Sequence, residues 1–177
     1  TKLITGPTHL ASPKRLNVKK IVSGKEMLKE VKKTLPVDVA ICAAAVSDYK
    51  PVSISANKIK KNKINLDVIK LEKNPDILEF LSKNNRNRPK IVVGFSAETE
   101  NIIENSKNKI KEKYCDLILA NDVSKKEFGF NSDYNKVFLI NRNGKIKSIP
   151  KNKKSYIANI LAKIILNKLL INDKSIN

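Results

Sequence analysis

Histidine occurs once in this chain, arginine four times and cysteine twice. His9, in a Gly-Pro-Thr-His loop, gives a histidine-dependent triad or a histidine-rich metal site too little to build from. Cys42 and Cys115 stand beside or within apolar runs, lack metal-ligand spacing and are too few for a disulfide framework. They read as buried, reduced thiols of a cytoplasmic protein. No apolar run approaches the roughly 18 residues of a membrane-spanning helix. No signal-peptide pattern opens the chain, which runs from Thr1 straight into the strand-like Lys2-Leu3-Ile4-Thr5.

What is abundant is positive charge. The formal net charge is +19, and the basic residues are 32 lysines against 4 arginines, accompanied by 21 asparagines and 22 isoleucines. Those three enriched types fill 75 of 177 positions. Such an enrichment, spread along the whole chain, reads as compositional bias rather than as a binding face. Base edges and bidentate phosphate contacts call for arginine, and no aromatic residues interleave with arginine as a stacking platform would. A specific nucleic-acid partner is therefore not expected, although polyanions should bind weakly at low salt.

Length points to one domain over residues 1–177. Strand signals fall at Lys2–Thr5, Val18–Val22, Val37–Ala45, Ile91–Phe95 and Asp116–Ala120. Val137–Asn141 and Ile146–Ile149 read as a hairpin around Asn143-Gly144. Helices are expected from Gly24 to about Leu35, from Asn74-Pro75 to Lys83, from Glu100 to Tyr114 and from Ser155 to Leu170. Ser23 and Glu26 form a capping box for the first helix. Asn74 as N-cap and Pro75 as first helical residue would start the second. Residues 49–73 break the rhythm, and Ile64, Leu66, Val68 and Ile69 suggest a projecting arm. The βαβα order predicts an α/β fold: a mostly parallel sheet with helices on both faces, plus the arm and a C-terminal hairpin and helix.

Several separated motifs carry chemistry. The run Ala43-Ala44-Ala45-Val46-Ser47-Asp48-Tyr49-Lys50-Pro51 follows an apolar strand, and Lys58-Ile59-Lys60-Lys61 comes next. Small residues at a strand's carboxyl end let a ligand approach the backbone, and ligands of open α/β sheets bind outside those ends. Then come Lys73-Asn74-Pro75-Asp76, Val93-Gly94-Phe95-Ser96-Ala97-Glu98-Thr99, Ala120-Asn121-Asp122-Val123-Ser124 and Gly129-Phe130-Asn131-Ser132-Asp133. In this order the motifs resemble bacterial phosphopantothenoylcysteine synthetase (phosphopantothenate–cysteine ligase), the carboxyl-terminal half of a bifunctional coenzyme A biosynthesis protein. The likeness runs from about residue 2 to the last helix.

The resemblance implies a Rossmann-like domain that joins 4′-phosphopantothenate to L-cysteine with CTP, through an acyl-cytidylate, as a homodimer to which the arm contributes. It implies Mg²⁺ with the CTP, no assignable metal ligand, and no FMN on this chain. It also implies a strand, a phosphate loop and an asparagine-bearing segment ahead of the part that matches Lys2, so the chain reads as an amino-terminally truncated domain. Carried over residue by residue, the CTP-contacting positions are Cys42, Ala43, Ala44, Asp48, Lys58, Glu72, Lys73, Asn74, Pro75, Phe95, Lys109 and Lys113, with Lys58 the catalytic lysine. Plainer roles stand beside these: strand packing for Cys42, an exposed turn for Asp48, a helix cap at Asn74, core packing for Phe95, and surface charge for Lys109 and Lys113. Asn121 and Asp122 end the next strand on the ligand side; they and the Gly129–Asp133 loop are expected to have structural or substrate-loop roles, with no contact assigned. The alternatives are an ATP-using enzyme and a non-catalytic nucleotide-binding or dimerising remnant.

Overall fold

The computed structural model describes residues 1–53, 55, 57, 68–83, 86–124 and 132–174. Its contacts divide the chain into two units, residues 1–34 with 44–77 and residues 35–43 with 78–177. In chain order the elements are β1 (Lys2–Thr5), β2 (Asn17–Lys20), α1 (Gly24–Thr34), β3 (Val39–Cys42), β4 (Tyr49–Pro51), β5 (Leu71–Lys73) and α2 (Ile77–Lys83). They continue as β6 (Ile91–Glu98), α3 (Ile102–Lys113), β7 (Leu117–Asp122), β8 (Tyr134–Asn141), β9 (Ile146–Lys153) and α4 (Lys154–Lys174).

In the first unit β1 and β2 pair in parallel, and β4 and β5 pair antiparallel as the base of the arm. Helix α1 starts where its capping box predicts. The Ser23 hydroxyl accepts the Glu26 amide at 3.2 Å, while the Glu26 carboxylate accepts the Val22 amide at 2.9 Å. The return bond therefore lands one residue before the cap, yet two free donors at the helix start are still satisfied. Ser23→Ala should lower unfolding free energy by about 1 kcal/mol, read as a fall in the urea midpoint; Ser23→Asp should restore it.

The second unit is a five-stranded sheet in the order β3-β6-β7-β8-β9. The first three strands are parallel and the last two antiparallel. Strands β6 and β7 are covered on both faces, hence the near-continuous apolar runs Ile91-Val92-Val93 and Leu117-Ile118-Leu119-Ala120, all buried. Alternation sends Ile91, Val93, Leu117, Leu119, Val137 and Leu139 to one face, where Ile157, Leu161 and Ile165 of α4 pack at four-residue spacing. On the other face Gly94 meets α2: a Cβ there would lie 2.8 Å from a Leu78 methyl. A side chain at this position would have to displace that methyl. The mostly parallel sheet with helices on both faces is thus as the sequence predicts.

Boundaries moved where polar residues joined a ladder or apolar ones left it. The strand expected over Val37–Ala45 narrows to β3, whereas β6 runs past Phe95 to Glu98 because Ala97 and Glu98 pair with Asn121 and Asp122. The second helix begins at Ile77, not at Asn74-Pro75. Asn74 does not cap it; its amide and carboxamide are turned to the backbone of Ser47 and Asp48. The predicted arm positions Ile64 and Leu66 lie outside the described residues. Among the described residues no helix is long and apolar enough to cross a membrane.

Candidate functional site

Parallel strands end their ladders together, and the carboxyl ends of β3, β6 and β7 leave a hollow beneath the first turns of α4. Its volume is about 430 Å³. Ile41 and Ala43 enter from the end of β3, Phe95 and Ala97 from β6, Leu119 and Asn121 from β7. Asn135 and Val137 of β8 and Lys154, Ile157 and Leu161 of α4 close the far side. Strand alternation and register explain the grouping: Phe95 stands opposite Leu119, Ala97 opposite Asn121, and Asn121 opposite Val137. This is where open α/β sheets hold ligands.

Of the residues carried over from the resemblance, Ala43 and Phe95 meet at this hollow. Cys42, half-buried, ends β3 one residue earlier, so alternation turns it to the opposite face. Ala43 closes one stretch of the second unit and Ala44 opens a stretch of the first, so the small-residue run holds one of the three points at which the chain passes between units.

A second group assembles within the first unit. The Asn74 amide donates to the Asp48 carbonyl at 2.7 Å, and its carboxamide donates to the Ser47 carbonyl at 2.8 Å. The β4–β5 pairing sets Lys73 opposite Tyr49 and Glu72 opposite Lys50. Pro75 follows Asn74 in the connection to α2. Asp48, Glu72, Lys73 and Asn74 are therefore gathered by strand pairing and a side-chain clamp, not by a helix start. Glu72 is engaged by Lys50 at 2.6 Å and Lys25 at 3.6 Å. The Lys50 hydrogen bond, helped by both positive charges, holds the Glu72 carboxyl below its ordinary value and raises Lys50 in turn.

Lys109 and Lys113 share α3, as their spacing predicts, but Lys113 lies with Glu79 of α2, 3.3 Å from its carboxylate. That is the face of the sheet opposite the hollow. Glu79 also takes Lys83 at 2.6 Å, and these two lysines hold its carboxyl below the usual range. Lys58, Lys60 and Lys61 lie outside the described residues, as do Gly129, Phe130 and Asn131. Burial pushes the Cys115 thiol up to about 11, which makes it a packing group rather than a nucleophile. No group of three or more His, Cys, Asp or Glu among the described residues could cage a metal ion.

Among the polar lining residues, Asn121 was placed on the ligand side without an assigned contact, and Asn135 and Lys154 escaped the sequence reading. Asn121 carried a signal, since it lies two residues beyond Leu119 on the face that Phe95 shares. Asn135 and Lys154 carried none, because only the antiparallel return of β8 and the course of α4 bring them here.

Comparison with known proteins follows this geometry. The chain is 44% identical over 165 residues, 92% of its length, to the coenzyme A biosynthesis bifunctional protein CoaBC of Borreliella burgdorferi, covering 41% of that protein. It is 37% identical over 166 residues to the CoaBC of Vibrio cholerae, covering 92% of this chain and 41% of the relative. The chain thus spans about two fifths of the length of the curated relatives it matches. The crystal structure of the C-terminal domain of a CoaBC superposes with a TM-score of 0.75 at 29% identity, over 97% of this chain and 74% of that one. Residues 1–169 match the family model of DFP, the DNA/pantothenate metabolism flavoprotein C-terminal domain. On this match and these identities, the chain belongs to the DNA/pantothenate metabolism flavoprotein C-terminal domain family.

Proposed function

We propose that this chain is a phosphopantothenate–cysteine ligase domain of coenzyme A biosynthesis. A carboxylate is a poor acyl donor because its leaving group would be oxide. Its oxygen attacks the α-phosphorus of CTP, the α–β anhydride bond breaks, and pyrophosphate leaves an acyl-cytidylate. The cysteine amine then attacks the acyl carbon, loses a proton, and releases CMP as the amide forms. The observation that carries this reading is the small-residue end of β3 facing Phe95 across a hollow at the sheet's carboxyl edge.

The roles divide by chemistry. Ala43 and Ala44 keep side chains away so that main-chain groups meet the nucleotide. Asp48, fixed through the Asn74 clamp, accepts from a ligand hydroxyl or stands near the cation. Lys58 supplies positive charge to the reacting phosphates. The resemblance implies Mg²⁺ with the CTP, and among the described residues no group of three or more His, Cys, Asp or Glu could cage it. It would supply charge neutralisation at the phosphates.

The arm's base supports the homodimer. Tyr49, Val52, Val68, Ile69 and Leu71 are all more than half exposed, and Val52 extends the ladder by donating to the Lys70 carbonyl at 3.0 Å. An exposed apolar ribbon of this kind marks a contact surface. Incubated with CTP, Mg²⁺, 4′-phosphopantothenate and L-cysteine, the chain should release pyrophosphate and form the amide. In sedimentation it should have twice the monomer mass, and Val68→Asp with Ile69→Asp should halve that. CTP binding without pyrophosphate release would replace the ligase with the non-catalytic remnant.

A further inference from the structure

Of the 21 asparagines in the chain, Asn143 alone is followed by glycine. The pair sits at the tip of the β8–β9 hairpin, in the loop Arg142-Asn143-Gly144, and all three loop residues are exposed. The Asn141 carbonyl accepts the Gly144 amide at 2.9 Å, and the Asn141 amide donates to the Lys145 carbonyl at 3.1 Å. Gly144 has φ +83°, so a tight turn is closed by a glycine in the left-handed region. That turn holds two groups able to react with each other. One is the Gly144 nitrogen, which no side chain shields; even a Cβ built there would meet nothing within 4 Å. The other is the Asn143 carboxamide. Its Oδ1 accepts the Lys145 amide at 3.3 Å, an N–H that also donates to Asn141 Oδ1 at 2.8 Å.

We infer that Asn143 is a site of spontaneous self-modification, at which the Gly144 nitrogen attacks the Asn143 carboxamide and the loop is rebuilt through an isoaspartyl link. The Gly144 nitrogen gives up its proton and bonds to Cγ, closing a five-membered imide. The Cγ–Nδ2 bond breaks, and Nδ2 leaves with a proton as ammonia. Negative charge develops on Oδ1 as the new bond forms, and the Lys145 N–H already donates to that oxygen. Water then opens the imide: attack at the main-chain carbonyl leaves the isoaspartyl link, and attack at the side-chain carbonyl leaves aspartate. No electron is gained or lost. The bond from the Gly144 amide to Asn141 opposes the first step, because that proton must be released, so the folded turn reacts more slowly than the free segment. Elsewhere a side chain stands on the residue after each asparagine that has a successor, and after Asn74 the proline nitrogen carries no proton at all. The isoaspartyl link adds a carbon to the main chain of a loop whose length sets the register, with Ile140 opposite Ile146.

The test incubates the whole chain in mildly alkaline buffer and follows it by peptide mapping with mass spectrometry. The segment carrying Asn143 should gain one mass unit before any other asparagine converts, with isoaspartyl product in excess of aspartyl. Gly144→Ala should slow that gain at least several-fold. Asn143→Gln, whose imide would need a six-membered ring, should lose it over the same interval. A synthetic peptide of residues 139–147 should convert faster than the folded chain, a comparison that needs no variant to fold. Earlier conversion at another asparagine, aspartyl product in excess, or an unchanged rate in Gly144→Ala overturns the inference. A peptide no faster than the chain overturns the brake assigned to the Gly144–Asn141 bond.

Discussion

Asp116→Ala should lower the stability of the sheet-bearing unit by about 3 kcal/mol. Asp116 stands just before β7 and does three jobs there. Its amide donates to the Val92 carbonyl at 2.9 Å, its Oδ2 accepts the Val92 amide at 2.8 Å, and the same oxygen accepts Nη2 of Arg88 at 2.8 Å. Arg88 is held in turn by the carbonyls of Ser82, Pro89 and Tyr114. Val92 is completely buried, so removing the carboxylate leaves an N–H that water cannot reach. That loss costs about 1–3 kcal/mol, and Arg88 loses its ion-pair partner besides. Asp116→Asn keeps an acceptor for Val92 and should cost only about 1 kcal/mol. The check is urea unfolding followed by circular dichroism, with hydrogen exchange at Ile118 and Leu119 as the local readout. Equal midpoints for the alanine and asparagine variants would mean that the Val92 bond contributes nothing.

That cluster was invisible in the sequence, and the reason is instructive. Arg88 and Asp116 are 28 residues apart, and nothing in local periodicity couples them. The sequence showed what local rules control: the Ser23–Glu26 cap, the doubly covered runs of β6 and β7, and the hairpin around Asn143-Gly144. It misled where a side chain had two local uses. Asn74-Pro75 looks like a helix start, but the carboxamide closes the β4–β5 base instead, and the helix waits until Ile77. At the site, Phe95 was reached because it ends the expected strand Ile91–Phe95 and matches a nucleotide-contacting position of the family that the sequence resembles. Asn121 was placed at the end of the next strand, on the ligand side, with no contact assigned to it. Asn135 and Lys154 depend on tertiary return and had to be seen.

Lys58→Gln should reduce the rate of pyrophosphate release by about 10²- to 10³-fold. The first half-reaction concentrates negative charge on phosphoryl oxygens as the anhydride bond breaks, and an ammonium that meets this charge favours that state over the ground state. Lys58 falls in the arm segment outside the described residues, so its part rests on the Lys58-Ile59-Lys60-Lys61 motif and on charge. Glutamine keeps the length and polarity of most of the side chain and removes the cation. Unfolding curves should therefore superpose on those of the wild type, and the KM for 4′-phosphopantothenate should shift only a few-fold, because the lost interaction belongs to the transition state. Lys58→Arg restores charge but brings a planar fork in place of a compact ammonium, so recovery should be partial. In this lysine-rich chain, where 32 lysines offer chance matches, Lys61→Gln is the control and should leave the rate near wild type. Single-turnover measurement separates the steps: the defect should lie in acyl-cytidylate formation, and acyl-cytidylate supplied ready-made should react with cysteine at a near-normal rate. A Lys58→Gln chain that releases pyrophosphate as fast as wild type, or a Lys61→Gln chain equally impaired, would take Lys58 out of the chemistry and leave the arm's positive charge as a diffuse field.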